Sequence, residues 1–195
     1  MTEPELNKRV AIIGAGLIGC SWTALFMKYG WDVTIWDHNP GVYETVSAKV
    51  TRALADLDDL HGQKSETGSY TLCDDMDAAI SDVEYVQENV SENLNVKHAL
   101  FAELDKQIAP NVPIASSTTA YTWSDLFSGC LHTDRFLIAH PFNPPHLIPL
   151  VELSGHCDPI LRQATDIYEG LGRVIISLKK EAPGHIANRL AAALW

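Results

Sequence analysis

The sequence has few cysteines, few bases and no long apolar run, and each shortage excludes something. Cys20, Cys73, Cys130 and Cys157 stand far apart with no CxxC pair. That spacing excludes a disulfide framework and a zinc cluster, and it reads as reduced thiols with a cytoplasmic location. Lysine and arginine number 14 against 25 acids, a formal charge of −11. Such a chain lacks the basic footprint that nucleic acid or an anionic membrane surface demands. No apolar stretch reaches the ~18 residues of a membrane span. Residues 1–7 are polar and acidic, unlike a secretory leader. The histidines form no H-x-H or H-E-x-x-H array, so no metal is expected. What is present is core material: 46% of 195 residues are apolar, enough for one packed domain.

Short β-branched runs alternate with longer helical patterns, which predicts an α/β fold with a mostly parallel, doubly wound sheet of the Rossmann type. Strands are expected at 9–13, 33–36, 70–72, 83–90, 113–116, 136–139, 148–153 and 174–176. Pro149 marks the 148–153 strand as an edge or a bulge. Helices are expected at 17–29, 41–64, 76–80, 95–108 and 159–170, the fourth with Val96, Leu100, Phe101 and Leu104 on its buried face. Trp22 and Trp31 read as core. From Gly184 onward Ile186, Leu190 and Leu194 recur at helical spacing, and the last residue is Trp195. An apolar stripe of this kind, exposed to water, would be an association surface or an aggregation liability. The reading is a nucleotide-binding domain over 1–183, followed at 184–195 by the first helix of a further helical domain that is cut short or supplied by a partner.

Gly14, Gly16 and Gly19 form G-x-G-x-x-G after an apolar strand and at the start of a helix. Asp37 closes the next strand, 21 residues beyond Gly16. In that context the motif is a dinucleotide fingerprint. Gly14 allows the tight turn, Gly16 lets the pyrophosphate approach, and Gly19 lets helix and strand pack closely. The helix start, with Leu17 and Ile18, faces the phosphate charge. Asp37 accepts from the adenosine ribose hydroxyls and repels a 2′-phosphate, and the next base is Lys49, so NAD is favoured over NADP.

The densest chemistry lies at His140-Pro141-Phe142-Asn143-Pro144-Pro145 with Glu152 twelve residues after the histidine. Oxidising a secondary alcohol needs a base for the hydroxyl proton while hydride leaves for the nicotinamide. A neutral imidazole with a carboxylate on its other nitrogen fits both needs. Taken alone, a histidine at a strand end is more often a packed structural residue. His146 and His185 flank this region as candidates for lining the cleft, with a surface or turn role expected for each.

Five ordered segments carry a resemblance over nearly the whole chain. They are the glycine motif, Glu92-Asn93-Leu94-Asn95-Val96-Lys97, Ser116-Ser117-Thr118-Thr119, His140 to Pro145 with Glu152, and Gly184-His185-Ile186-Ala187-Asn188-Arg189-Leu190. Together they resemble the NAD-binding domain of the L-3-hydroxyacyl-CoA dehydrogenase family. The resemblance implies that His140 is the acid/base, Glu152 its partner, and Asn188 a residue that binds substrate or holds the geometry. It puts Glu92 and Lys97 near the nicotinamide and Asn143 among the cofactor contacts. The family has a serine where Thr119 stands, and the neighbouring Thr118 and Ser117 are alternatives for the same role. The form of the segments 139–145 and 148–152 is similar to a branch containing lambda-crystallin (L-gulonate 3-dehydrogenase) and the carnitine dehydrogenases. Residues 41–66 hold only Lys49, Arg52 and Lys64 against five acids, which favours a small hydroxy acid over the phosphate-rich CoA thioester. The alternatives are a 3-hydroxyacyl-CoA dehydrogenase of fatty acid metabolism, and an NAD-binding module inactive without a C-terminal helical domain. In the family that domain also makes the homodimer. A 6-phosphogluconate-type dehydrogenase would need a catalytic lysine in a glycine-rich helix, a segment not found here.

Overall fold

The computed structural model describes residues 8–64 and 66–194. Its strands are β1 (Arg9–Ile13), β2 (Asp32–Trp36), β3 (Tyr70–Leu72), β4 (Tyr85–Glu88), β5 (Ile114–Ser116), β6 (Phe136–Pro141), β7 (Leu150–Gly155) and β8 (Val174–Ser177). Its helices are α1 (Leu17–Lys28), α2 (Tyr43–His61), α3 (Met76–Ile80), α4 (Leu94–Gln107), α5 (Trp123–Phe127), α6 (Asp158–Gly170) and α7 (Ala187–Leu194). The eight strands form one sheet in the order β3-β2-β1-β4-β5-β6-β7-β8. β1 to β6 are parallel, and β7 pairs antiparallel with β6 and parallel with β8.

Both faces of the sheet are covered, which is why β1 is apolar almost throughout. Val10 and Ile12 point into a core shared with α1, α2 and α6. Ala11 and Ile13, one residue out of phase, point into a second core shared with α3, α4 and α5. Trp22 and Trp31 lie in the first core as expected. α5 was not anticipated from the pattern of apolar residues. It is a single turn held by a capping box, in which Thr122 and Asp125 each bond the other's backbone N–H.

Two expectations fail for identifiable reasons. Pro149 does not mark an edge, since β7 has a neighbour on each side. Pro149 sits one residue ahead of the strand, where its carbonyl accepts from the Val174 N–H and its missing donor costs nothing. On α4, Val96 is 43% exposed while Lys97 is 1% exposed. A buried acid on β4 draws the lysine inward, and the helical phase follows the charge instead of the valine.

Chain order runs outward from β1 in both directions, and the reversal falls between β1 and β4. A crevice therefore opens at the carboxyl ends of these two strands, where such sheets hold ligands. Among the described residues no helix is long and apolar enough to cross a membrane.

Candidate active site

The glycine loop follows β1 directly. Gly14 has φ +99°, and a Cβ there would lie 2.7 Å from the Asn89 backbone at the end of β4. The loop is thus pressed against the neighbouring strand at the reversal point. A Cβ on Gly19 would fall 1.9 Å from the Gly14 carbonyl oxygen, so helix and loop are in backbone contact. Gly16 differs: among the described residues nothing lies within 4 Å of the position its Cβ would take. Its bareness serves no packing need of the protein, and it leaves open the side from which a pyrophosphate would approach. Leu17 and Ile18 form the first residues of α1, which has no side-chain cap, so its leading N–H groups remain free for an anion. Asp37 closes β2 and turns back onto the loop. Its Oδ2 accepts from Ala15 N–H at 2.8 Å and its Oδ1 from Asn39 N–H at 2.9 Å.

At the other end of the crevice, β6 and β7 set His140 directly opposite Glu152. The antiparallel ladder, with the intervening residues spent in the turn, explains the twelve-residue spacing. His140 Nδ1 lies 2.8 Å from Glu152 Oε2, and the two residues are 4% and 1% exposed. A carboxylate only accepts, so the proton resides on Nδ1 and Nε2 carries the lone pair of a base. The second oxygen of Glu152 accepts from the backbone N–H groups of Ile186 at 2.9 Å and Ala187 at 3.0 Å. One buried carboxylate therefore orients the imidazole and also anchors the start of α7. That anchor brings Asn188, half-buried in the first turn of α7, next to the Glu152 contact.

The hydroxyl candidates separate by what already holds them. Ser117 Oγ donates to Asn89 and receives Trp22 Nε1–H and Gln87 Nε2–H. Thr118 is buried, and its hydroxyl donates to Glu92 Oε1 at 2.6 Å. Thr119 is exposed, and among the described residues no hydrogen bond engages its hydroxyl. Glu92 also accepts the N–H groups of Thr119 and Ala120, both at 2.9 Å. Burial pushes the Glu92 carboxyl up, but the Thr118 and Ala120 hydrogen bonds and the Lys97 charge outweigh it and hold the group below the usual range.

Lys97 is buried. Its ammonium reaches Glu88 Oε1 at 2.7 Å, with the Val90 carbonyl at 3.4 Å and Glu92 Oε2 at 3.5 Å. Glu88, fully buried at the end of β4, also accepts from the Ser116 hydroxyl and the Val90 N–H. Lys97 is thus a buried counter-ion that fixes the 88–92 loop. Asn143 is exposed and lines a cleft of about 400 Å³ with Leu17, Lys49 and Arg52.

His146 and His185 are not in surface positions; they are 7% and 2% exposed. His146 joins Ser21 of α1 to Asp56 of α2, the latter at 3.3 Å, and burial holds its pKa below the usual value. His185 does occupy a turn, with φ +53°. Its ring lies 4.7 Å from that of His140, and its Nε2 meets the Thr118 carbonyl at 3.0 Å. Both lie in turns as expected, but in buried ones. The four cysteines are free.

Comparison with known proteins follows the same outline. Residues 9–182 match the family model described as 3-hydroxyacyl-CoA dehydrogenase, NAD binding domain. An L-carnitine dehydrogenase of Streptomyces coelicolor is 40% identical across all of this chain and 63% of its own length. A 3-hydroxyacyl-CoA dehydrogenase of Gibberella moniliformis is 35% identical over 96% of this chain and 59% of its own. Among solved structures, an FHMPC 5-dehydrogenase, an NAD+-dependent dismutase, superposes with a TM-score of 0.91 at 27% identity, covering 97% of this chain and 63% of that one. The chain spans about 60% of the length of the curated relatives it matches. With the fingerprint loop at the strand reversal and the family model covering most of its length, the chain belongs to the 3-hydroxyacyl-CoA dehydrogenase family as its NAD-binding domain.

Proposed function

We propose that this chain supplies the cofactor site and the proton-transfer pair of an NAD-dependent dehydrogenase that oxidises the 3-hydroxyl of a small hydroxy acid of the gulonate or carnitine kind. The carrying observation is the buried His140–Glu152 pair at the carboxyl end of β6, with Nδ1 bonded and Nε2 left as a base. NAD, when bound, supplies the hydride acceptor. The protein's own residues do the rest. The loop at Gly14, Gly16 and Gly19 with Asp37 holds the dinucleotide; His140 takes the hydroxyl proton, and Glu152 stabilises the imidazolium that forms. The unengaged Thr119 hydroxyl and Asn188 hold the reacting oxygen. Glu92, kept ionised, fixes the 118–120 backbone beside it.

The small-acid reading rests on charge. The 41–66 segment is net acidic, a poor surface for the phosphates of CoA, and an L-carnitine dehydrogenase stands among the relatives. Purified protein mixed with NAD and, separately, L-gulonate, L-carnitine and 3-hydroxybutyryl-CoA tests it. NADH formation from either free acid supports the reading, and NADH formation from the thioester alone replaces it with the acyl-CoA alternative.

A second reading has its own observation. α7 buries none of its described side chains, and Leu190 and Leu194 are 61% and 86% exposed. A helical region packed on that face would complete the site over Asn188 and make a homodimer. In that case residues 184 onward open a second domain, and the NAD-binding unit alone binds cofactor without turnover. Titrating NAD while assaying turnover on one sample separates the two. The free cysteines fit a cytoplasmic location.

A further inference from the structure

His185 stands beside the acid/base pair and has no part in the proton transfer described above. Its surroundings fix it unusually well. The backbone holds φ +53°, a region costly for any residue with a Cβ. The His185 N–H donates to the Ala182 carbonyl at 3.0 Å, and Glu152 holds the next two N–H groups. The ring is thus locked from both sides of the turn. A carbonyl can only accept, so the contact with Thr118 O places the proton on Nε2. The lone pair then lies on Nδ1. Burial lowers the pKa of the ring and outweighs the Thr118 hydrogen bond, and the neighbouring His140 adds to the lowering, which favours the neutral form.

Among the described residues nothing donates to His185 Nδ1, although the residue is only 2% exposed. It is a fixed acceptor without a donor, on a ring centred 4.7 Å from the ring of the base. The reacting hydroxyl cannot serve it. That hydroxyl has one hydrogen, and His140 Nε2 takes it. The acceptor therefore calls for a second donor on the substrate, close to the carbon being oxidised.

We propose that His185 is a specificity-determining residue whose Nδ1 accepts a hydrogen bond from a second hydroxyl adjoining the reacting carbinol, so that the site prefers a vicinal dihydroxy acid to a simple 3-hydroxy acid. The inference rests on the dehydrogenase reading and narrows its substrate class. A plain acyl chain placed against Nδ1 would desolvate the nitrogen without replacing its partner, and sites built around such a partner reject analogues that lack it. Of the small acids considered above, the polyhydroxylated kind fits and the quaternary ammonium kind does not.

The test uses the full chain loaded with NAD. Binding and NADH formation are compared for 3-hydroxybutyrate, 2,3-dihydroxybutyrate and 3,4-dihydroxybutyrate with the wild type, H185F and H185Q. An NAD titration of each variant reports whether its cofactor domain has folded. The wild type is expected to favour one dihydroxy acid by about tenfold in affinity. H185F should lose that ratio, and H185Q, which keeps a donor for Thr118 and a carbonyl acceptor, should recover part of it. Equal affinities in the wild type, a ratio that survives in H185F, or no binding of any acid overturns the proposal. Should H185F fail to bind NAD, the wild-type ratio and H185Q decide. NADH formed without a His185-dependent preference sinks this inference and leaves the dehydrogenase reading standing. A His185-dependent binding preference with no NADH formed does the reverse.

Discussion

Replacing Glu152 by glutamine changes one atom and tests the whole arrangement. The carboxylate accepts three hydrogen bonds, from the imidazole on one oxygen and from two backbone N–H groups on the other. A glutamine can accept on only one side. If its amide nitrogen faced α7, it would confront two donors and leave both unpaired. Facing His140, it confronts one, and the imidazole can respond by moving its proton from Nδ1 to Nε2. The second arrangement is the cheaper, and it turns the base into a donor. Hydrogen bonds to a charged group contribute about 1.5–3 kcal/mol each, and the remaining bonds lose their charge assistance, so the unfolding free energy should fall by about 2 kcal/mol. Turnover should suffer far more, since an imidazole held in the wrong tautomer costs about a thousandfold to ten-thousandfold. NADH formation measures the rate, a denaturant titration measures the stability, and nitrogen NMR of labelled histidine reports the tautomer. Wild-type turnover in E152Q, or a proton that remains on Nδ1 in that variant, would refute the reasoning.

The glycine loop separates binding from folding. G16A should leave Tm unchanged, because no atom of the described residues meets the added methyl, while NAD affinity measured by calorimetry falls about tenfold or more. G19A drives a methyl to 1.9 Å from the Gly14 carbonyl and should cost more than about 3 kcal/mol in a denaturant titration. K97M strands the fully buried Glu88 carboxylate, and breaking a buried pair from one side costs about 3–5 kcal/mol; an unfolding curve that matches wild type would remove Lys97 from the account. Burial lowers the pKa of both His146 and His185. The unfolded chain therefore binds their protons near pH ~6.5 while the folded chain resists. Stability from this source is complete above that pH and is lost as pH falls through it toward the folded values. Tm followed against pH should show the decline, and H146Q should shallow it.

Much of this was legible in the sequence because the signals were local. The strand, glycine turn and helix at 9–28 are contiguous, and the acid at the end of the next strand lies within the same unit. His140 and Glu152 were pairable on paper because one antiparallel turn separates them. What escaped depends on groups distant in the chain. The burial of Lys97 was not visible because nothing nearby shows that Glu88 is fully buried and that the Ser116 hydroxyl bonds it too. The burial of His185 escaped because its partners, Thr118 and His140, come from segments distant in the chain. α5 was missed because its cap, Thr122 with Asp125, precedes too short an apolar run to show a period.

The most direct test is a crystal structure of the protein with NAD and a bound hydroxy acid. The account predicts the pyrophosphate over Gly16 at the start of α1, the adenosine ribose at Asp37, and the substrate hydroxyl within hydrogen-bond distance of His140 Nε2 with the nicotinamide on its other side. A dinucleotide bound as described but with its nicotinamide turned away from His140, or a substrate oxygen held by some other group, would contradict it.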